Sequence, residues 1–208
     1  MEHWNGTRWS VIPSPNPGST GNHLYGVKAI GPDDVWAVGQ QLGASSPDEA
    51  LIEHWDGSGW SVVPSPTHGS ASAMLFSVVG SARGVWAVGE TDDAIQGSRP
   101  LVERFKNGAW TTVDLPQAGS IFTSLWGVSA SDDTVWAVGT FQDVASGDNK
   151  TLILRGDEDR FRVVDGPNPG SGDNILGGIA TTGDSLWAVG VYKNGGGRQT
   201  LIERHQEG

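Results

Sequence analysis

The residues of this sequence best equipped for chemistry are carboxylates. Asp48, Glu49, Asp92, Asp93, Asp143, Asp148 and Asp173 fall in stretches where otherwise similar segments stop agreeing. Two carboxylates at a suitable separation run glycoside hydrolysis, and several together hold Ca2+ through oxygen ligands. Their spacing selects neither: no EF-hand-like or repeated Asp-x-Asp pattern occurs, and no nucleophile–base pair can be identified. A substrate carboxylate would want clustered arginines, whereas these stretches offer only Arg99 and Arg198. His3, His23, His54, His68 and His205 include no pair at the spacing of a zinc site, and the absence of Cys removes thiolate chemistry. No cofactor is expected, with Ca2+ bound by these carboxylates as the alternative.

Aromatic residues are the second candidates. Asp34-Val-Trp-Ala-Val-Gly39 returns as Gly84-Val-Trp-Ala-Val-Gly89, Thr134-Val-Trp-Ala-Val-Gly139 and Ser185-Leu-Trp-Ala-Val-Gly190. This places Trp36, Trp86, Trp136 and Trp187 roughly fifty residues apart, the period of kelch-like propeller blades. Trp9, Trp60 and Trp110 mark a second repeated position. A residue required once per repeat is expected to pack between repeats, so all seven are assigned to structure. Tyr25, Phe76 and Trp126 share a position that becomes Leu176 or Gly177 in the last copy. Being variable, it is a candidate for ligand contact, together with Asp48, Asp92, Asp93, Asp143 and Asp173.

The elements that must position these residues are short strands. A first strand begins at Leu24, Leu75, Leu125 and Leu176, and the Val-Trp-Ala-Val-Gly segment is the second. A third begins at Leu51, Leu101, Leu152 and Leu201, and a fourth at Trp9, Trp60, Trp110 and Phe161. All are rich in Val, Ile and aromatics and are separated by turn residues, and no helical apolar period occurs. Third-to-fourth links such as Asp56-Gly-Ser-Gly59 are short and alike. Second-to-third links (Gln40 to Ala50, Glu90 to Pro100, Thr140 to Lys150, Val191 to Gln199) are longer and unlike, as are the fourth-to-first links. In a four-stranded meander both variable classes emerge on one face, where repeat proteins often bind. The Glu53-His54, Glu103-Arg104 and Glu203-Arg204 neighbours point to opposite faces of a strand and are expected to pair, if at all, with the adjacent repeat.

The expected fold is therefore all-β: a single domain over 1–208, a four-bladed β-propeller of four-stranded antiparallel blades. The blades span about 22–66, 73–116, 122–166 and 174–205 plus 8–14. The chain starts in a third strand and closes with a third strand, so the N-terminal strand is expected to complete the last blade, removing exposed edges. Glu2-His3-Trp4 and Glu203-Arg204-His205 then compete for one position, and the longer copy with Leu201 and Ile202 is expected to prevail. A monomer is expected, and a dimer forming an eight-bladed ring is the alternative. Met1 falls in mid-repeat, as in an excised segment.

A formal net charge of −11 opposes nucleic acid and anionic membrane, which want basic patches. No apolar run approaches the roughly twenty residues of a membrane span, and Met1-Glu-His-Trp-Asn has no signal-peptide pattern.

The repeats resemble a family of bacterial tandem-repeat propellers with Val-Trp-Ala-Val-Gly and Leu-Ile-Glu-His-Trp-Asn/Asp-Gly-x-x-Trp blades, kelch-like in character. The segments Asn5 to Trp9, Asp56 to Trp60 and Asn107 to Trp110 also resemble a degenerate Asp-box, from which Gly156 to Phe161 departs. This resemblance implies the propeller fold and an extracellular or cell-surface location. The expected function is a non-enzymatic binding or scaffold module using the variable face, with a glycan or a protein as ligand. The alternatives are a glycan-acting hydrolase of sialidase-like propeller type and a structural segment of a longer repeat array.

Overall fold

The computed structural model describes residues 1–208 except 45–46, 117–121, 132–133, 158–159, 184 and 207–208. The Glu158–Asp159 pair of the departing turn therefore lies outside the described residues. Among the described residues there is no helix, and none long and apolar enough to cross a membrane. The described residues form seventeen antiparallel strands in five sheets.

A hairpin of β1 (Glu2–Trp4) and β2 (Trp9–Val11) opens the chain. The first full sheet contains β3 (Gly21–Gly31), β4 (Asp34–Leu42), β5 (Glu49–Trp55) and β6 (Trp60–Val62) in sequence order. The second contains β7 (Ser72–Ser81), β8 (Gly84–Asp93), β9 (Gly97–Lys106) and β10 (Ala109–Thr112). The third contains β11 (Thr123–Ala130), β12 (Val135–Gln142), β13 (Asn149–Asp157) and β14 (Arg160–Val164). The last has three strands, β15 (Asn174–Thr182), β16 (Ser185–Asn194) and β17 (Gly197–Gln206). Successive sheets meet along their first strands, β3 on β7, β7 on β11 and β11 on β15.

The strands run further than their apolar cores require. β8 continues to Asp93 and β9 begins at Gly97, so most of that second-to-third link is ladder with a tight turn at its tip. In the last sheet only Gly195 and Gly196 separate β16 from β17. In these two sheets the second-to-third segments are thus largely hairpin extensions of the sheet.

The repeated motif has a steric logic. In each of the four larger sheets the first strand carries a bulge, between Leu24 and Gly26, Leu75 and Ser77, Leu125 and Gly127, and Leu176 and Gly178. The motif glycine lies opposite it. A Cβ on Gly39, Gly89, Gly139 or Gly190 would sit 1.8–1.9 Å from the carbonyl oxygen of His23, Met74, Ser124 or Ile175. No other residue type fits there.

The motif tryptophan stacks the sheets. Each pairs across the ladder with the third-strand residue that covers its ring: His54 on Trp36 at 4.2 Å, Arg104 over Trp86 at 4.8 Å, Arg155 over Trp136 at 5.6 Å and Arg204 over Trp187 at 5.4 Å. The other side of the ring meets the next sheet. Trp36 lies 4.6 Å from Phe105 and 5.4 Å, edge-on, from Trp110, and Trp86 shares a core with Phe161. His54 binds Asp34 of its own sheet at 2.8 Å, where the Trp36 Nε1–H also donates at 2.9 Å. The histidine of this pair thus works within its own sheet, whereas the glutamate does reach the adjacent repeat as expected, Glu103 pairing with His68 at 2.9 Å.

At the ends of the chain two expectations fail and one holds. The N-terminal strand does not complete the last sheet, because β2 pairs with β1 and β17 pairs with β16. As expected, Leu201–His205 holds the third-strand place beside β16, and Glu2–Trp4 stays peripheral, exposed and paired only with β2. A turn of a few residues closes the β1–β2 hairpin at lower entropic cost than a closure spanning most of the chain, and the Trp4–Trp9 rings meet at 5.8 Å. In consequence Trp187 is 42% exposed where Trp36, Trp86 and Trp136 are 1–3% exposed, and Trp9 is 66% exposed. Their assignment to inter-repeat packing does not hold in this chain, for want of a sheet to cover them.

One further repeat contact is electrostatic. Third-strand glutamates Glu53 and Glu103 are buried, and Glu203 is mostly so. Glu103 accepts hydrogen bonds from Ser65 at 2.8 Å and pairs with His68 at 2.9 Å, both from the segment after the preceding sheet. Both Glu53 carboxylate oxygens are buried without a hydrogen-bond partner, and burial raises its pKa, opposed by the N-terminal charge and by the nearby Ser14. Where Leu115 stands in place of that serine, the glutamate is replaced by Leu154, and the two share a core. Gly166 holds the corresponding place before Glu203, whose oxygens find no partner, and burial pushes its carboxyl up to about 7.

Two outcomes follow. Trp86→Ala should cost about 3–5 kcal/mol in urea denaturation and Trp187→Ala roughly half of that or less, because only the first ring is enclosed on both sides. For Glu203, a raised native pKa makes its favourable contribution complete below about pH 4.5 and lost as pH rises through about 7. Glu203→Gln should therefore raise Tm at pH 8 and leave it nearly unchanged at pH 4; an equal gain at both would refute the charge explanation.

Candidate functional site

The bulges decide where the candidate aromatics go. The extra residue at each bulge is Tyr25, Phe76, Trp126 and Gly177 in turn. With first strands adjacent from sheet to sheet, three of these form one continuous row. Tyr25 and Phe76 ring centroids lie 5.6 Å apart, and Phe76 and Trp126 stack at 4.7 Å with planes 25° apart. Tyr25 is 48% and Trp126 38% exposed, so the row is open to solvent. His23 extends it, stacked on Tyr25 at 6.1 Å. At the other end the fourth position is Gly177, exposed, where a Cβ would meet nothing within 4 Å. The row thus ends in open space beside Trp126.

Polar groups border the row that the sequence did not single out as site residues. The residue after the motif glycine lies next to the bulge: Gln40 Nε2 donates to the Tyr25 hydroxyl at 3.0 Å, and the Ser124 hydroxyl donates to Glu90 of the preceding sheet. Burial raises the Glu90 pKa, the Ser124 hydrogen bond opposes that, and the nearby Asp92 charge adds to it. The signal was present in the sequence, since position 40/90/140/191 is where the copies first diverge. What the sequence lacked was the register that sets these side chains against the aromatics.

The candidate carboxylates are not gathered here. Asp93 accepts backbone N–H bonds from Ile95 and Gln96 at 2.8 and 3.0 Å, which lower its pKa and shape the turn. Asp143 does the same with the Ala145 N–H at 3.1 Å and the Ser146 hydroxyl at 3.0 Å. Asp92 accepts from Ser98 across the β8–β9 ladder at 3.3 Å. Asp48 and Asp173 link neighbouring sheets: the Asp48 N–H donates to Ser72 at 3.1 Å, and Asp173 accepts two N–H bonds from Asn149 at 3.0 and 3.1 Å. Among the described residues no three of His, Asp and Glu come together in a way that could hold a metal ion.

No known family profile matches the chain, and no curated protein matches it. Solved structures do. One is an ancestral GH74 enzyme, with a TM-score of 0.56 and 14% identity over 95% of this chain and 28% of that one. The fold is that of a β-propeller. Another is YCF48 bound to D1 peptide, with a TM-score of 0.47 and 16% identity over 94% of this chain and 53% of that one. The chain therefore spans about half of one neighbour and little more than a quarter of the other.

Proposed function

We propose that this chain is a non-enzymatic binding module built on four propeller blades, and that its aromatic row takes a glycan. The observation that carries this reading is the run Tyr25–Phe76–Trp126 ending at Gly177, an open step at the edge of a stacked, solvent-facing surface. The apolar face of a sugar ring stacks on such a surface, while Gln40, Glu90 and Ser124 offer donors and acceptors for its hydroxyls. One ring of the ligand lies on Trp126 over Gly177, in the place a fourth aromatic would occupy.

A glycan array followed by titration calorimetry tests this. Trp126→Ala should weaken binding at least tenfold. Gly177→Trp should do so as well by filling the open step; Gly177 lacks a positive φ and its Cβ meets no neighbour, so the fold should tolerate it. Binding of peptides but no sugars on the same array would sink the glycan reading.

The second reading, a glycan-acting hydrolase, is favoured by Glu90 alone: a carboxyl with a raised pKa, beside an aromatic surface and near the Asp92 charge, suits a general acid. If it holds, sugars that bind are also cleaved, and Glu90→Gln lowers the cleavage rate by about 10²–10⁴-fold, far more than it weakens binding. Bound sugars that stay intact leave the non-enzymatic reading in place.

A further inference from the structure

The interface between the third and last sheets differs from the two before it. In the earlier interfaces an aromatic of the fourth strand enters the core behind the motif tryptophan: Trp110 behind Trp36, and Phe161 behind Trp86. The core behind Trp136 has none. In its place is a cavity of about 430 Å³ lined by Trp136, Ile153, Leu186, Leu201, Glu203 and His205 among others. Along it runs β17, which pairs with β16 on one side and, among the described residues, with no strand on the other.

We propose that β17 and this cavity form a docking site for the β2 strand of a second copy of the chain, with Trp9 entering the cavity behind Trp136. The chemistry of the occupant is set by the repeat. In the first sheet the strand on the third-strand edge is Trp60-Ser-Val-Val-Pro64, and β2 begins Trp9-Ser-Val-Ile-Pro13. The apolar groups of β2 are largely open to solvent, with Trp9 and Val11 66% and 72% exposed. Its present partner, β1, is a three-residue strand with every residue exposed. Such a hairpin is marginal by itself and yields its pairing at little cost.

The remaining surfaces agree. Val189 and Ile202 are exposed on the last sheet, although their equivalents Val38, Val88, Val138, Ile52, Val102 and Ile153 are buried. At the other end Val27 is exposed, and its equivalents Val78 and Val128 are buried. One end of the chain displays the back of a blade and the other the front. Contact of the last sheet of one copy with the first sheet of another covers both and brings β2 to the β17 edge. Made reciprocally, this head-to-tail contact joins two copies in a closed pair; made in one direction only, it gives an open filament, and the solution mass distinguishes the two.

The register gives a direct test. Ser61 faces His54 and Thr111 faces Arg104 on the third–fourth ladders, so Ser10 of one copy should face Arg204 of the next. Directly opposed Cα atoms lie about 4.5–5.5 Å apart, within disulfide reach. The chain has no cysteine of its own. A mixture of S10C and R204C chains, mildly oxidised, should form a mixed covalent dimer. The unmodified chain should show about twice 21.9 kDa by light scattering. Trp9→Ala added to the S10C chain should abolish the cross-link and leave the thermal melt within a few degrees. A 21.9 kDa particle with no mixed cross-link overturns the proposal. So does an S10C/R204C double variant that closes only within one chain, which would make the occupant the chain's own strand.

Discussion

The structure depends on a close approach between two backbones. Opposite each first-strand bulge the second strand comes so near that only glycine can stand there, since any Cβ would lie 1.8–1.9 Å from a carbonyl oxygen. The bulge adds one residue to the first strand and turns it out of the alternation. Tyr25, Phe76 and Trp126 are those residues, so the constraint that shapes every sheet also raises the aromatic row. Scaffold and site are consequences of one steric fact.

Stacking of one sheet on the next rests on the motif tryptophan. Its ring is held on one side by a cation or histidine from its own third strand and, for Trp36 and Trp86, on the other by aromatics of the following sheet. Cation–π contacts of this kind are worth about 0.5–2 kcal/mol, and enclosure of the ring adds more. Each interface therefore needs both neighbours, and a sheet at the end of the array keeps half of what it could have. Trp187 retains its arginine and lacks its covering sheet.

The copies also read as a natural substitution series at the buried glutamate. Serine with glutamate (Ser65 with Glu103, through one carboxylate oxygen) and leucine with leucine (Leu115 with Leu154) are matched pairs, one polar and one apolar. Glycine with glutamate (Gly166 with Glu203) is not, and there the carboxyl responds by holding its proton to about pH 7. A buried charge without a donor costs more than an apolar pair of similar size, so position and partner must change together.

The amino-acid sequence by itself determined the strand repeat, the seat of the motif tryptophan and the choice of Tyr25, Phe76 and Trp126 as one variable position. These follow from spacing, because a repeated residue answers a repeated local need. The tertiary structure decided the rest. That the three aromatics touch depends on the bulge and on first strands lying side by side, neither of which is written in any one repeat. That the acidic segments are ladder and turn, with Asp93 and Asp143 bonded to their own backbones, depends on hydrogen-bond register. The fate of β2 was an energetic competition between a nearby partner and a distant one, and identical pairing chemistry at both places left the sequence unable to choose.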